Sequence, residues 1–179
     1  GYNDVNGDGF REAPDGSPID LIITCPSGWT DWMAAIQIIS RNAEAFGIKV
    51  TPEYPDYGGW LDSLLQGTLD MSIRNEAQLS STVYSYYMWV FQHPLDTIAT
   101  AQWGNYGRYE NQEAFDLVDQ LAAVKIGDDD AIRAITSQLQ RITLTDLPTI
   151  PLWYNGLWAQ TSERYWTNWP SAEEGSNHY

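Results

Sequence analysis

Cysteine and histidine are scarce in this chain. Its 179 residues include a single cysteine, Cys25, and two histidines, His93 and His178. One cysteine excludes an internal disulfide, and two histidines disfavour a zinc site, which typically needs about four ligands. A nucleophilic cysteine needs a histidine close by, and neither histidine follows a predicted strand. Cys25 ends an apolar segment, so we expect a small buried hydrophobe.

Positive charge is also scarce, with nine Lys and Arg against 24 Asp and Glu, a net charge of −15. Such a chain is repelled by nucleic acid and by anionic membrane surfaces, and anionic substrates are disfavoured too. Because of this charge, we expect no nucleic-acid partner.

The sequence contains no signal peptide and no apolar run long enough to span a bilayer.

Aromatic residues, in contrast, are abundant, with nine tryptophans and eleven tyrosines. Trp and Tyr provide large, rigid contact surfaces that carry a polar group. That is more indole than a core of this size needs, so we expect some of these rings to line a ligand surface.

Strand and helix patterns alternate along the chain, which indicates βαβ units and an α/β fold with a mostly parallel sheet flanked by helices. We expect the aromatic group at 84–91 to pack on this sheet. The predicted strands are 19–25, 49–54, 69–73 and a last one at 150–154, and the predicted helices follow Gly28, Gly59, Glu110 and Gly127. The first two helices are expected to end at Gly47 and Gly67, because glycine is favoured just after a helix.

The turn after the first strand, in the segment PSGWTDWMAA (26–35), carries Trp29, Thr30 and Asp31. Ligands of open α/β sheets bind at the carboxyl ends of the strands. An indole beside a carboxylate suits a sugar, because the ring receives the apolar sugar face and the acid accepts from hydroxyls. The alternative is that Thr30 or Asp31 is the helix N-cap and that the tryptophans belong to the core.

Residues 4–15 match most of a calcium-loop pattern. Pro14 stands where a flanking helix would begin, so an EF-hand is not expected. The alternatives are a helix-free loop that holds a structural calcium ion and a Gly/Asp-rich surface turn. The oxygen ligands would come from Asp4, Asn6, Asp8, the Phe10 carbonyl and Asp15.

Four stretches follow one another in a specific order and spacing: DVNGDGFREAPDGSPIDLII, FGIKVTPEYPDYGGWLDSLLQGTLDMSI, GNYGRYENQEAFDLVDQL and LQRITLTDLPTIPLWYN. Together they resemble the carboxy-terminal lobe of the family-5 extracellular solute-binding proteins, the peptide and oligosaccharide receptors of ATP-binding-cassette importers. The likeness runs from Asp4 to Pro170. Within the family, PSGWTDWMAA and WTNWP resemble the branch that binds cellobiose and related β-linked oligosaccharides.

The resemblance implies a lobe of periplasmic-binding-protein type II that captures a β-linked, cellobiose-like oligosaccharide without catalysis and without a required cofactor. The ligand would lie between two lobes and pass to the membrane permease of the importer, outside the cytoplasm. Family members carry a large first lobe that this chain lacks. We therefore expect one lobe (1–179) of a longer protein, with an acidic, glycine-rich opening loop (1–18), an aromatic then polar tail (165–179), and a homodimer that hides the apolar cleft face.

On this resemblance, residues at strand ends and before a helix become candidates for the ligand site. Trp29 would stack on a sugar, and Thr30 and Asp31 would bond hydroxyls. For each residue alone, a turn-forming or packing role is the alternative, and Trp60 and Trp89 are assigned to packing. The candidate set is Trp29, Thr30, Asp31, Asn75, Glu76, Trp103, Asn105 and Asn155.

Two other functions stay open at this point. One is a peptide receptor of the same family. The other is a glycoside hydrolase or carbohydrate-processing domain, which needs two carboxylates about 5 to 9.5 Å apart. Asp31 and Glu76, after neighbouring strands, are a conceivable pair, although nothing in the sequence singles them out.

Overall fold

The structure, a computed structural model, describes residues 1–75, 83–91, 104–153 and 162–165. The chain divides into two compact units, 1–149 and 150–179. In the described part of the second unit, the Arg164 guanidinium lies 5.1 Å from the ring centroid of Tyr165. The first unit contains all the helices and strands described below.

Three parallel strands form the sheet of the first unit. They are β1 (Asp20–Thr24), β2 (Lys49–Glu53) and β3 (Met71–Ser72), in the order β2-β1-β3. The apolar residues of β1 place it in the centre, where Ile23 pairs with β2 on one side and with β3 on the other. The predicted parallel sheet is confirmed, with strands one or more residues shorter than the sequence pattern.

Two helices share a buried cluster with this sheet. α1 (Thr30–Ala45) follows β1, and α2 (Tyr57–Gln66) follows β2. Each ends as the sequence predicts, since Gly47 and Gly67 have positive φ values of 81° and 69°, which glycine adopts without steric penalty. The buried cluster consists of Ile23, Cys25, Trp32, Ile36, Val50, Trp60, Leu64 and Ile73.

Three further helices form a second cluster. They are α3 (Val83–Val90), α4 (Gln112–Ala123) and α5 (Asp129–Asp146). The Asn111 side chain caps α4 by accepting from the Ala114 N–H, and Asp128 caps α5 by accepting from the Ala131 N–H. Both helix starts are predicted correctly, because capping depends on residues three positions apart.

The expectation that the aromatic group at 84–91 packs on the sheet is wrong. Tyr87 and Phe91 are buried together with Phe115 of α4 and Leu139 of α5. α4 and α5 each present an apolar stripe of their own, and α3 covers the α4 stripe. These aromatic residues therefore belong to a helical core that sequence periodicity does not distinguish from a sheet core.

The predicted last strand at 150–154 is also wrong for its described residues, 150–153, which form no strand. Pro151 has no N–H to donate to a strand partner. Tyr154, like tail residues 166–179, lies outside the described residues. No helix in the described part of the chain has the length and apolar character to cross a membrane.

Candidate ligand-binding site

The carboxyl ends of the three strands bring together segments that are distant in sequence. Trp29 follows β1, Tyr57 follows β2 and Arg74 follows β3. Because the strands are parallel and adjacent, these segments reach the same edge of the sheet. This edge is the crevice position at which α/β sheets bind ligands.

A group of four aromatic rings occupies this edge. Trp32 packs edge-on against Trp29 with ring centroids 4.5 Å apart. Trp60 lies 6.3 Å from Trp29 and 5.9 Å from Tyr57, and it is fully buried. The Trp60 Nε1–H donates to Ser72 Oγ at 2.8 Å, so even its polar atom is satisfied inside the protein. The prediction that Trp60 is a packing residue is confirmed.

The outer pair of this group, Trp29 and Tyr57, forms an aromatic surface. Their rings are nearly parallel, with an interplanar angle of 22° and centroids 5.9 Å apart. That separation exceeds the roughly 4 Å of rings in full face-to-face contact. Trp29 is half-buried and Tyr57 is 50% exposed. This pair, called here the aromatic surface, suits the apolar face of a sugar ring.

Thr30 and Asp31 lie exposed in the first turn of α1, beside Trp29. Trp29 itself occupies the N-cap position, and no side chain caps this helix. The alternative that Thr30 or Asp31 is the N-cap is therefore wrong. Asp31 instead places a negative charge near the positive end of the helix dipole, which is favourable.

Arg74 is a residue at this edge of the sheet that sequence reasoning did not single out. Its guanidinium carbon lies 5.8 Å from the Trp60 ring centroid and 5.0 Å from that of Tyr106. Nη2 donates to the Tyr106 hydroxyl at 3.1 Å, and the buried Nε has no hydrogen-bond partner among the described residues. An unsatisfied buried donor costs about 1–3 kcal/mol, so the position needs a reason. The available signal was a rare cation directly after a predicted strand.

The remaining predicted ligand residues have different outcomes. Asn75 is exposed after Arg74 at the end of β3. The Asn105 amide accepts from the Tyr109 N–H and donates to the Tyr109 carbonyl, both at 2.8 Å, which shapes its own loop. This geometry gives Asn105 a structural role and no support as a ligand contact. Glu76, Trp103 and Asn155 lie outside the described residues.

The opening loop brings three carboxylates together. One oxygen from each of Asp4, Asp8 and Glu12 lies within 4.8 Å of the others. Asp4 accepts from the Gly7 and Gly9 N–H groups at 2.7 and 2.9 Å, which folds the loop around its side chain. Oxygen ligands in a tight loop fit calcium. The same hydrogen bonds also fit a surface turn, so the predicted calcium ion stays a prediction.

Asp15 is not part of this cluster, contrary to the predicted ligand set. Its carboxylate accepts from the hydroxyl of Ser17 and from the Ser17 N–H, and these hydrogen bonds, that of the hydroxyl first, lower the pKa of Asp15. Glu12 occupies the cluster instead; it is 5% exposed and accepts from the Val5 N–H and from Asn6 Nδ2. The main chain of Glu12 forms β-bridges with Asn3 and with Pro18. Because of these bridges, the loop closes at Glu12, before Asp15.

Comparison with solved structures identifies a close relative in sequence. The chain is 45% identical to a periplasmic oligopeptide-binding protein of an ABC transporter from Thermotoga maritima, crystallised with bound mannohexaose, with a TM-score of 0.87. The match covers 97% of this chain and 32% of that protein, so this chain spans about a third of the relative's length. No protein-family model matches the chain, and a search of curated proteins finds no match.

More distant structures share the fold. The oligopeptide-binding protein AppA from Bacillus subtilis, in complex with a nonapeptide, is 18% identical with a TM-score of 0.68, over 83% of this chain and 28% of AppA. The periplasmic binding protein MelB from Agrobacterium fabrum, in complex with stachyose, is 18% identical with a TM-score of 0.63, over 84% of this chain and 23% of MelB. The predicted fold of a periplasmic-binding-protein lobe is confirmed.

Proposed function

Because the chain belongs to the family-5 extracellular solute-binding proteins, we propose that it captures an oligosaccharide for an ATP-binding-cassette importer. The ligand is β-linked and cellobiose-like, and it is held in a cleft between two lobes outside the cytoplasm before transfer to the membrane permease. The observation that carries this proposal is the aromatic surface of Trp29 and Tyr57 at the carboxyl edge of the sheet.

The aromatic surface accounts for affinity through buried apolar area. One face of a β-linked pyranose is lined by C–H groups, and its contact with an aromatic ring stabilises the complex by about 25 cal/mol per Å² of apolar area removed from water. Trp32 and Trp60 are buried beneath the outer rings. They hold Trp29 and Tyr57 in position before the ligand arrives, which lowers the entropy cost of binding.

Polar groups beside the rings account for selectivity. The Asp31 carboxylate and the Thr30 hydroxyl are exposed next to Trp29, where they accept hydrogen bonds from sugar hydroxyls. A ligand that lacks the matching hydroxyl leaves such groups unpaired when it covers them, at a cost of about 1–3 kcal/mol each. The bound mannohexaose of the Thermotoga maritima relative is consistent with a sugar ligand.

A peptide is the alternative ligand within the family. The Thermotoga maritima relative is named an oligopeptide-binding protein, and AppA was solved with a nonapeptide. An extended peptide is held mainly through its main-chain amides, whereas this site presents ring faces. The family consists of binding proteins rather than enzymes, and the Glu76 partner that hydrolysis would require lies outside the described residues.

The test is a calorimetric titration of the full-length protein with mannohexaose, with cello- and xylo-oligosaccharides, and with short peptides. Tight binding of an oligosaccharide is expected, and Trp29→Ala or Tyr57→Ala should each raise Kd roughly tenfold through lost apolar contact. Binding of peptides alone would overturn the sugar ligand. Release of shorter sugars during the titration would instead support the glycoside hydrolase alternative.

Tyr2→Ala is the matched control for Tyr57→Ala. Tyr2 is 57% exposed, close to the 50% of Tyr57. Its carbonyl accepts from Arg11, whose Nε donates to the Phe46 carbonyl at the carboxyl end of α1, whereas the aromatic surface lies at the amino end of α1. Tyr2→Ala should therefore leave Kd unchanged; an equal loss in both variants would mean that a general effect, not the aromatic surface, controls binding.

A further inference from the structure

We infer that Arg74 is a ligand-binding residue whose guanidinium donates hydrogen bonds to the oxygen atoms of a neutral oligosaccharide seated on the aromatic surface. This inference rests on the proposed function and assigns the hydrogen-bond donor of the same site. It concerns a residue two positions beyond β3, on the strand next to the one that carries Trp29.

The surroundings of Arg74 orient its guanidinium without using most of its donors. The group lies between the Trp60 and Tyr106 rings, with its carbon 5.8 and 5.0 Å from their centroids. A guanidinium carries five N–H donors. Among the described residues, Arg74 makes one hydrogen bond, from Nη2 to the Tyr106 hydroxyl. The two rings therefore hold the guanidinium in place, while most of its donors make no hydrogen bond to a described residue.

Two other arginines of the chain donate hydrogen bonds to main-chain carbonyls. Arg11 donates to the Phe46 and Tyr2 carbonyls, and Arg108 donates to the carbonyls of Leu65 and Gln66 at the end of α2. These two arginines join segments of the fold. Within the described residues no carboxylate pairs with Arg74, in a protein whose net charge is −15.

Trp60 links Arg74 to the aromatic surface. The same indole lies 5.9 Å from the Tyr57 ring, 6.3 Å from the Trp29 ring and 5.8 Å from the Arg74 guanidinium carbon. The aromatic surface and the guanidinium therefore flank the same buried indole, and an oligosaccharide that covers Trp29 and Tyr57 reaches Arg74 by extending past Trp60. The planar fork of Arg matches two neighbouring oxygen atoms, such as vicinal sugar hydroxyls.

The acidic chain favours a neutral ligand over an anionic one. The net charge of −15 repels anions at a distance, and the faces of Trp60 and Tyr106 already offset part of the Arg74 charge through cation–π attraction. Hydroxyl groups accept from a guanidinium without bringing a new charge to the site. A uronate-containing oligosaccharide of equal length should therefore bind no more tightly than mannohexaose, and tighter binding would contradict the neutral class.

The experiment compares Arg74→Lys and Arg74→Gln with the wild type in calorimetric titrations of the full-length protein with mannohexaose. Both variants should raise Kd roughly tenfold or more, since Lys keeps the charge but loses the planar fork. Arg141→Gln is the control, because Arg141 is an exposed arginine whose Nη2 lies 3.5 Å from Glu113. It should leave Kd unchanged.

Thermal unfolding without ligand separates binding from a structural role. If Arg74 only supports the fold, its variants lower Tm while Kd stays that of the wild type, and the inference is overturned. If the variants do not fold, Tyr106→Phe takes their place, because it removes the hydroxyl that accepts from Nη2 and keeps the ring. We expect it to raise Kd severalfold, and an unchanged Kd overturns the inference.

Different results refute the proposed function and the inference on Arg74. A wild-type protein that binds no oligosaccharide refutes the proposed function, and the inference with it. A wild-type protein that binds mannohexaose, loses affinity with Trp29→Ala and keeps it with both Arg74 variants refutes the inference alone.

Discussion

Cys25 is fully buried at the end of β1, next to the site but not part of it. Burial, with the nearby Asp31 charge second, raises the pKa of its thiol. The thiolate is the reactive form, so we predict that the native protein reacts with a thiol reagent at pH 8 roughly 100-fold or more slowly than the urea-unfolded protein. Rapid, complete labelling of the native protein would contradict this burial.

The same shift sets the sign of a pH effect on stability. The folded state holds the Cys25 proton more tightly than the unfolded state, whose thiol has a pKa of about 8.5. Its contribution to the free energy of unfolding is therefore complete below that value and is lost as pH rises towards the folded pKa. Cys25→Ala should remove this part of the alkaline decline.

The end of α2 is an element whose stability depends on one glycine. Gly67 has a φ of +69°, and a Cβ added there would lie 1.6 Å from Nη1 of Arg108. We predict that Gly67→Ala lowers the free energy of unfolding by about 1–2 kcal/mol through backbone strain alone, and by more because Arg108 is displaced. Urea denaturation measures the change.

Gly16→Ala is the control for Gly67→Ala. Gly16 also has a positive φ, +83°, but a Cβ there meets nothing within 4 Å. It reports the backbone strain without the clash. If the two variants lose equal stability, the contact with Arg108 contributes nothing.

The opening loop is the element that tests the predicted calcium ion. Asp4, Asp8 and Glu12 bring three negative charges together, and a bound cation would offset their repulsion. If the ion is present, EDTA should lower Tm by several degrees and added calcium should restore it, since a ligand of the folded state alone stabilises that state. Asp8→Asn should weaken the response. An unchanged Tm with EDTA would mean a surface turn.

Local signals explain which elements the sequence predicts. Helix ends at Gly47 and Gly67 and helix starts at Asn111 and Asp128 depend on residues a few positions apart. The packing of α3 depends instead on α4 and α5, which follow it by more than 20 residues. The sequence of α3 alone therefore does not predict the surface on which this helix packs.

In the site, too, local features are predicted from the sequence and long-range contacts are not. Trp29 is predicted because it stands in a strand-to-helix turn, and its contact with Tyr57 is not, because the two residues are 28 positions apart. Arg74 follows a predicted strand, but its contact with Tyr106, which lies 32 positions later, is not predicted from the sequence. Glu12 replaces Asp15 because the bridges to Asn3 and Pro18 fix where the loop closes.

For the whole molecule, we propose that the aromatic surface and Arg74 form one side of a binding site. The chain spans about a third of the Thermotoga maritima relative, at 32% of its length. Enclosure of a ligand between two lobes would add contacts from outside this chain. The homodimer expected from the sequence stays a prediction, which sedimentation of the chain at high concentration would test.

The most direct measurement is a crystal structure of the full-length protein with mannohexaose. We predict a pyranose ring lying flat on Trp29 and Tyr57, with carbon atoms about 4 Å from the ring planes, and a sugar hydroxyl within hydrogen-bond distance of the Arg74 guanidinium. A sugar bound elsewhere, with Trp29 and Tyr57 still facing solvent, would contradict the account.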